Sequence, residues 1–136
     1  MKYLLDTNIC IYIIKKQYPE VLSKLTSVGF SKISISTITI AELEYGVANS
    51  QKSMEAQTAL LEFLMPFDTL DFNSAAASYY GRIRKELKDK ATPISDMDML
   101  IAAIAMANEL TLVTNNEKEF KRISGLKVEN WKSKSG

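Results

Sequence analysis

A chain of 136 residues suits one compact domain with a single core. Apolar residues make up 46% and charged residues 24%, and the formal net charge is +1, so any site for a polyanion is a local patch rather than a field of the whole molecule. Histidine is absent and Cys10 is the only cysteine, which excludes Ser-His and Cys-His nucleophile pairs, His-ligated zinc, Cys-rich metal sites and intramolecular disulfides.

Tyr3-Leu4-Leu5 is a short apolar run that reads as a buried strand. Asp6-Thr7-Asn8 punctuates it, and Ile9 to Lys15 can form a helix. A second helix covers Glu20 to Val28, with Val21, Leu22, Leu25 and Val28 on one face. Ile33 to Ile35 reads as strand two, followed by a helix from Ile38 to about Ala48 and another from Met54 to Met65, ended by Pro66. Phe67 to Leu70 is a third strand, and Asn73 or Ser74 caps a long helix to Leu87. "KDKATP" (88–93) is the clearest loop, since Pro93 holds the residue before it extended. Ser95 to Glu109 is a helix apolar on nearly every side, hence deeply buried. Leu110 to Val113 is strand four, Glu117 to Arg122 a short helix, and Leu126 to Val128 an edge strand. The chain shows no repeat, low-complexity tract or internal linker, so residues 1–131 are read as one domain and 132–136 as a flexible tail. No apolar run is long enough to cross a bilayer, and Asp6 and Asn8 interrupt the N-terminal apolar stretch where a signal peptide would be continuous; the expectation is a soluble, cytoplasmic protein.

Strands alternating with helices predict an α/β three-layer sandwich with a central parallel sheet of four to five strands. In such a sheet ligands bind outside the carboxyl ends of the strands. Asp6 ends strand one on that edge, and Glu42 lies early in the helix after strand two. Asp98 lies in the first turn of the buried helix, and Asn116 follows strand four. Four remote segments thus bring Asp6, Glu42, Asp98 and Asn116 to one rim.

The competing reading makes these residues helix caps. Asp6 is a favoured N-cap, and Thr39–Glu42 and Ser95–Asp98 have the spacing of capping boxes, as do Asn116 and Glu119. Against it, Asp98 precedes Ile101, Ala102 and Ala105 on one stripe, so its charge runs along a buried surface and needs a partner. Carboxylates converging without nearby Lys or Arg repel, and a divalent cation relieves that repulsion; an all-oxygen donor set suits Mg²⁺ or Mn²⁺.

"LLDTNI" at the start, "AELEYG" at 41–46, "PISDMDMLIAA" at 93–103 and "LVTNNEKEF" at 112–120 resemble, in this order and spacing, the PIN-domain ribonucleases, and most closely the VapC-type toxins of bacterial toxin–antitoxin pairs. The likeness covers nearly the whole chain. It implies a PIN-like fold and a metal-dependent endoribonuclease, with Asp6 and Asp98 as metal ligands and Glu42 as the family glutamate. Glu44 points away, and Asp96 serves as a helix-dipole partner or a support for the ligands. The fourth acidic position, often Asp in the family, is Asn116 here; an amide brings no charge, which weakens the hold on a second metal. The likeness further implies a homodimer or larger complex, and a cognate VapB-like antitoxin whose Lys or Arg meets the acidic pocket. It also implies an RNA substrate; initiator tRNA is a familiar one among similar toxins.

Water attack on phosphorus would leave a 5′-phosphate and a 3′-hydroxyl, with the Thr7 and Thr114 hydroxyls orienting carboxylates. "GRIRKELKDK" (81–90), Lys15-Lys16, Lys118, Lys121 and Arg122 can meet phosphates or be solvated helix faces, and Tyr12 and Tyr45 can stack on bases or pack in the core or an interface. Cys10, Tyr79 and Tyr80 read as packing residues and Trp131 as an anchor for the terminal segment. A haloacid-dehalogenase-type phosphohydrolase needs a second Asp two residues after the first, where this chain has Asn8; a non-catalytic RNA- or protein-binding module, with the acids as caps, is the rival from a different class.

Overall fold

The computed structural model describes residues 2–133. In chain order the elements are β1 (Tyr3–Leu5), α1 (Thr7–Ile14), α2 (Pro19–Val28), a 3-10 turn (Phe30–Lys32), β2 (Ile33–Ser36), α3 (Thr37–Ala48) and α4 (Ser53–Leu64). They continue with β3 (Asp68–Leu70), α5 (Ser74–Asp89), α6 (Asp96–Ala107), β4 (Thr111–Val113), α7 (Glu117–Phe120) and β5 (Val128–Glu129). The strands form one sheet in the order β3-β2-β1-β4-β5, every pairing parallel. Leu4 sits beside Ser34 on one side and Leu112 on the other. The chain winds outward from β1 through β2 to β3, then returns to the other side for β4 and β5. The reversal falls between β1 and β4, and the carboxyl end of that gap is where such sheets form a crevice.

Side chains of β1 alternate between the two faces. Leu4 joins the core made with Ile83 and Leu87 of α5, Ile101 and Ile104 of α6, and Phe120 of α7. Tyr3 and Leu5 join a second core with Ile9 and Cys10 of α1, Val21 and Leu25 of α2, Leu43 of α3 and Leu60 of α4. Each fully buried Leu or Ile contributes about 1.5–3 kcal/mol relative to exposure, which is how strands of three residues hold their places. Helix α6 buries Met99 and all of Ile101 to Ala105, as an all-round apolar helix must.

The expected elements are all present, with ends shifted by a residue or two in most cases. The 3-10 turn was not foreseen; it follows Gly29, whose φ of 94° closes α2 in a conformation that favours glycine. β5 starts at Val128, past Leu126, which packs into the core. Trp131 is buried, its ring 5.3 Å edge-on from Tyr3, as befits an anchor. Of the expected tail, the Lys132 ammonium lies 4.2 Å from the Tyr18 ring centre and the Ser133 N–H donates to Glu20 at 3.0 Å, while 134–136 lie outside the described residues. No helix among the described residues is long and apolar enough to cross a membrane.

Candidate active site

Asp6 sits one residue past β1, at the mouth of the β1–β4 gap, and is only 4% exposed. It caps α1: its Oδ1 accepts the Ile9 N–H at 2.9 Å. Its Oδ2 accepts a short hydrogen bond from the Thr114 hydroxyl, across the gap from the end of β4. Thr114 is held in turn by the Asn116 N–H, which donates to its Oγ1 at 2.9 Å. The capping reading is therefore correct for one oxygen of Asp6 and silent about the other.

Glu42 is placed by α3. The Thr39–Glu42 capping box does not form, because the helix begins earlier: Ser36 is the N-cap and accepts the Thr39 N–H at 3.1 Å. Glu42 is instead one helical turn in, and its Oε1 accepts from the Thr7 hydroxyl at 2.6 Å. Thr7 Oγ1 also lies 3.1 Å from Thr39 Oγ1; each hydroxyl has one proton, so Thr39 donates to Thr7 and Thr7 to the carboxylate. Asp98 stands in the first turn of α6, where its N–H donates to the N-cap Ser95 at 3.2 Å.

These three acids converge. Asp6, Glu42 and Asp98 line one cavity of about 440 Å³, with Thr7, Asn8, Ile11, Ala41, Tyr45 and Met97 completing its wall. Among the described residues no Lys or Arg lines it. Burial pushes the Asp6 carboxyl up to about 6; the Thr114 and Ile9 hydrogen bonds oppose this, and the charges of Asp98 and Glu42 add to it. Asp98 is also raised, first by burial and then, against the Ser95 hydrogen bond, by the charges of Glu119 and Glu42. A negative cavity of this kind is the arrangement a divalent cation stabilises. Among the described residues no three His, Cys, Asp or Glu side chains lie close enough together to hold a metal ion. The donors that line the cavity are oxygens, the chemistry a hard cation takes.

Asn116 contributes through its backbone. Its side chain makes no capping bond to α7, so the Asn116–Glu119 capping box is absent. Glu119, read in the sequence only as part of that box, is instead a charge that raises the Asp98 carboxyl, ahead of Glu42. Nothing local in the sequence signals this, because it depends on where α7 docks.

The basic runs are largely solvated helix faces with internal pairs: Lys85–Asp89 at 2.8 Å, Lys90–Glu86 at 2.6 Å and Lys121–Glu117 at 3.5 Å. Arg84 donates to the Tyr80 hydroxyl at 2.8 Å and Arg82 lies over the Tyr79 ring. Tyr12 accepts from Asn115 at 3.2 Å and packs edge-on against Tyr18. Cys10 is fully buried in the core, and Asp96 and Glu44 are exposed.

A parallel 3-2-1-4-5 sheet carrying acids at its switch point is the frame of a PIN domain, and the family model for that domain matches residues 3–126; the chain belongs to this family. Within it the chain is a ribonuclease toxin of the VapC type. It is 46% identical over 132 residues to Ribonuclease VapC2 of Rickettsia felis, covering 96% of this chain and 98% of that protein. It is 40% identical over 132 residues to the tRNA(fMet)-specific endonuclease VapC of Shigella flexneri, with the same coverage. The crystal structure of VapBC2 from Rickettsia felis bound to a DNA fragment from its promoter superposes with a TM-score of 0.90 at 44% identity, over 96% of this chain and 99% of that one.

Proposed function

We propose that the chain is a divalent-metal-dependent endoribonuclease whose Mg²⁺ or Mn²⁺ is held by Asp6 and Asp98, directly or through water, with Glu42 completing the site. The observation that carries this reading is the shared cavity: three carboxylates, from the residue after β1, from α3 and from α6, face one space that no Lys or Arg among the described residues lines. When bound, the cation supplies positive charge to the scissile phosphate and makes a coordinated water more acidic. The chain's own groups do the positioning. Thr114 fixes Asp6 Oδ2, and Asn116 fixes Thr114 through its N–H. Thr7 fixes Glu42 Oε1, which leaves the other oxygen to orient the attacking water and accept its proton. In-line attack then leaves a 5′-phosphate and a 3′-hydroxyl. Asn116 adds no charge, so one metal is bound more firmly than a second.

The substrate in this proposal is RNA, with initiator tRNA the first to test, since the Shigella relative is named for it. The partner is a VapB-like antitoxin, supported by the VapBC complex to which the chain is similar. An apolar groove of about 400 Å³ lined by Ile11, Ile14, Leu43, Val47 and Leu60 shares Ile11 and Glu42 with the acidic cavity. An antitoxin tail lying in that groove would bring an Arg or Lys to the acids in place of the metal's charge. Self-association as a homodimer belongs to the same proposal; the exposed Met54, Leu61 and Met65 on one side of α4 offer apolar surface for subunit contact. The test is RNA cleavage with end mapping, with Mg²⁺ and with EDTA, comparing wild type and Asp98→Ala. Scission abolished by EDTA and by the substitution, in a variant of unchanged circular dichroism, is expected; undiminished cleavage by pure Asp98→Ala protein would remove Asp98 from the assignment.

A further inference from the structure

Of the six tyrosines, five have a partner: Tyr3 meets Trp131, Tyr12 meets Tyr18 and Asn115, Tyr18 meets Lys132, Tyr79 meets Arg82, and Tyr80 meets Arg84 and Phe72. Tyr45 is the exception. Among the described residues its side chain has no hydrogen-bond or ring partner, and the residue is 71% exposed. It nevertheless lines the acidic cavity, on α3 three residues after Glu42. That spacing puts the two side chains on one face, with Cβ atoms about 5–6 Å apart. Met97 of α6, 46% exposed, lines the same cavity beside Asp98. Two large, unpartnered side chains thus flank the carboxylates, one on each helical wall.

We propose that Tyr45, with Met97 on the opposite helix, stacks on the nucleobase adjoining the scissile phosphate. The inference rests on the nuclease reading above and assigns to the same cavity a group that positions the substrate. The occupant follows from the chemistry of the floor. A phosphodiester drawn to a cation at Asp6 and Asp98 carries a base on its attached sugar, and a flat ring one helical turn from Glu42 is placed to receive it. Base–aromatic stacking is tolerant of base identity, so Tyr45 orients the strand without reading its sequence.

The test pairs Tyr45→Ala, Tyr45→Phe and Tyr45→Trp with an oligoribonucleotide containing the mapped cleavage site and with the same strand made abasic beside that site. KM for cleavage and Kd by fluorescence anisotropy are both measured. Stacking predicts that Tyr45→Ala weakens binding about 5- to 150-fold, that Phe and Trp restore it, and that kcat changes much less than KM. It also predicts that the abasic strand binds wild type weakly but costs the Ala variant nothing further. Equal abasic penalties in wild type and Tyr45→Ala, or unaltered binding by that variant, would overturn the proposal while leaving the nuclease reading intact. Base-dependent binding by Tyr45 with no scission of any strand would refute the nuclease reading and with it the placement of that base beside a scissile phosphate. A loss confined to a peptide copying the antitoxin tail would assign the ring to the protein partner and refute base stacking.

Discussion

Asp6→Asn is expected to destroy activity and yet stabilise the metal-free protein. The Asp6 carboxyl is held at about 6 against an ordinary 3.8, chiefly by burial. A raised carboxylate means the folded state holds its proton more tightly than the unfolded chain, so stability falls as pH rises from the ordinary value through the raised one. Each tenfold difference in proton affinity is worth about 1.4 kcal/mol, and ionised Asp6 therefore costs the fold ~3 kcal/mol at pH 8. Asparagine removes that charge while its side-chain oxygen can still accept from Ile9 or Thr114. In a chain of this length ~3 kcal/mol corresponds to a rise in Tm of roughly 10 °C. Thermal or urea unfolding in EDTA, run from pH 4 to pH 8 on both proteins, measures it. The two should converge near pH 4 and separate progressively up to pH 8. A gap that does not vary with pH, or an Asn variant less stable than wild type at pH 8, would show that Asp6 is not a strained buried charge.

Three further substitutions follow from the same geometry. Thr114→Val removes the hydroxyl that lowers the Asp6 carboxyl, so the acidic limb of the pH–rate profile should move to higher pH and kcat should fall; an unmoved limb would deny the hydroxyl that role. Glu119→Gln removes a charge that raises Asp98, so the Asp98 carboxyl, followed by NMR, should titrate at lower pH than in wild type. Ile104→Ala, in the fully buried stripe of α6, should cost about 2–5 kcal/mol in urea unfolding while leaving kcat at permissive temperature unchanged.

The parallel, helix-flanked sheet was legible because hydrophobic period and strand–helix alternation are local signals, and Tyr3 to Leu5 and Met99 to Ala105 carry them without interruption; the order β3-β2-β1-β4-β5 and the division of the expected single core into two clusters depend on tertiary packing and were not. The rim of Asp6, Glu42 and Asp98 was legible for a geometric reason: the end of a strand and the start of a returning helix share one edge of a parallel sheet. What the sequence left open is what these side chains touch. Glu42 pairs with Thr7, thirty-five residues away, and only the earlier start of α3 at Ser36 reveals that its capping box with Thr39 is impossible. Glu119 reaches the field of Asp98 from α7, a separate segment of the chain, and Tyr45 lies outside the core because α3 turns that face to the cavity. The pairing of Lys85 with Asp89 and of Lys90 with Glu86 was visible at four-residue spacing, and it is why the basic run at 81–90 reads as a solvated helix face.

The most direct test is a crystal of the protein grown with Mn²⁺, with anomalous scattering used to locate the ion. Shared ligation by Asp6 and Asp98 predicts one strong peak in the acidic cavity, within ligand distance of oxygens of both or of waters they hold, and its loss in Asp6→Asn crystals. A cavity free of manganese at millimolar concentration, or an ion bound elsewhere with the Asp6 and Asp98 carboxylates facing apart, would contradict it.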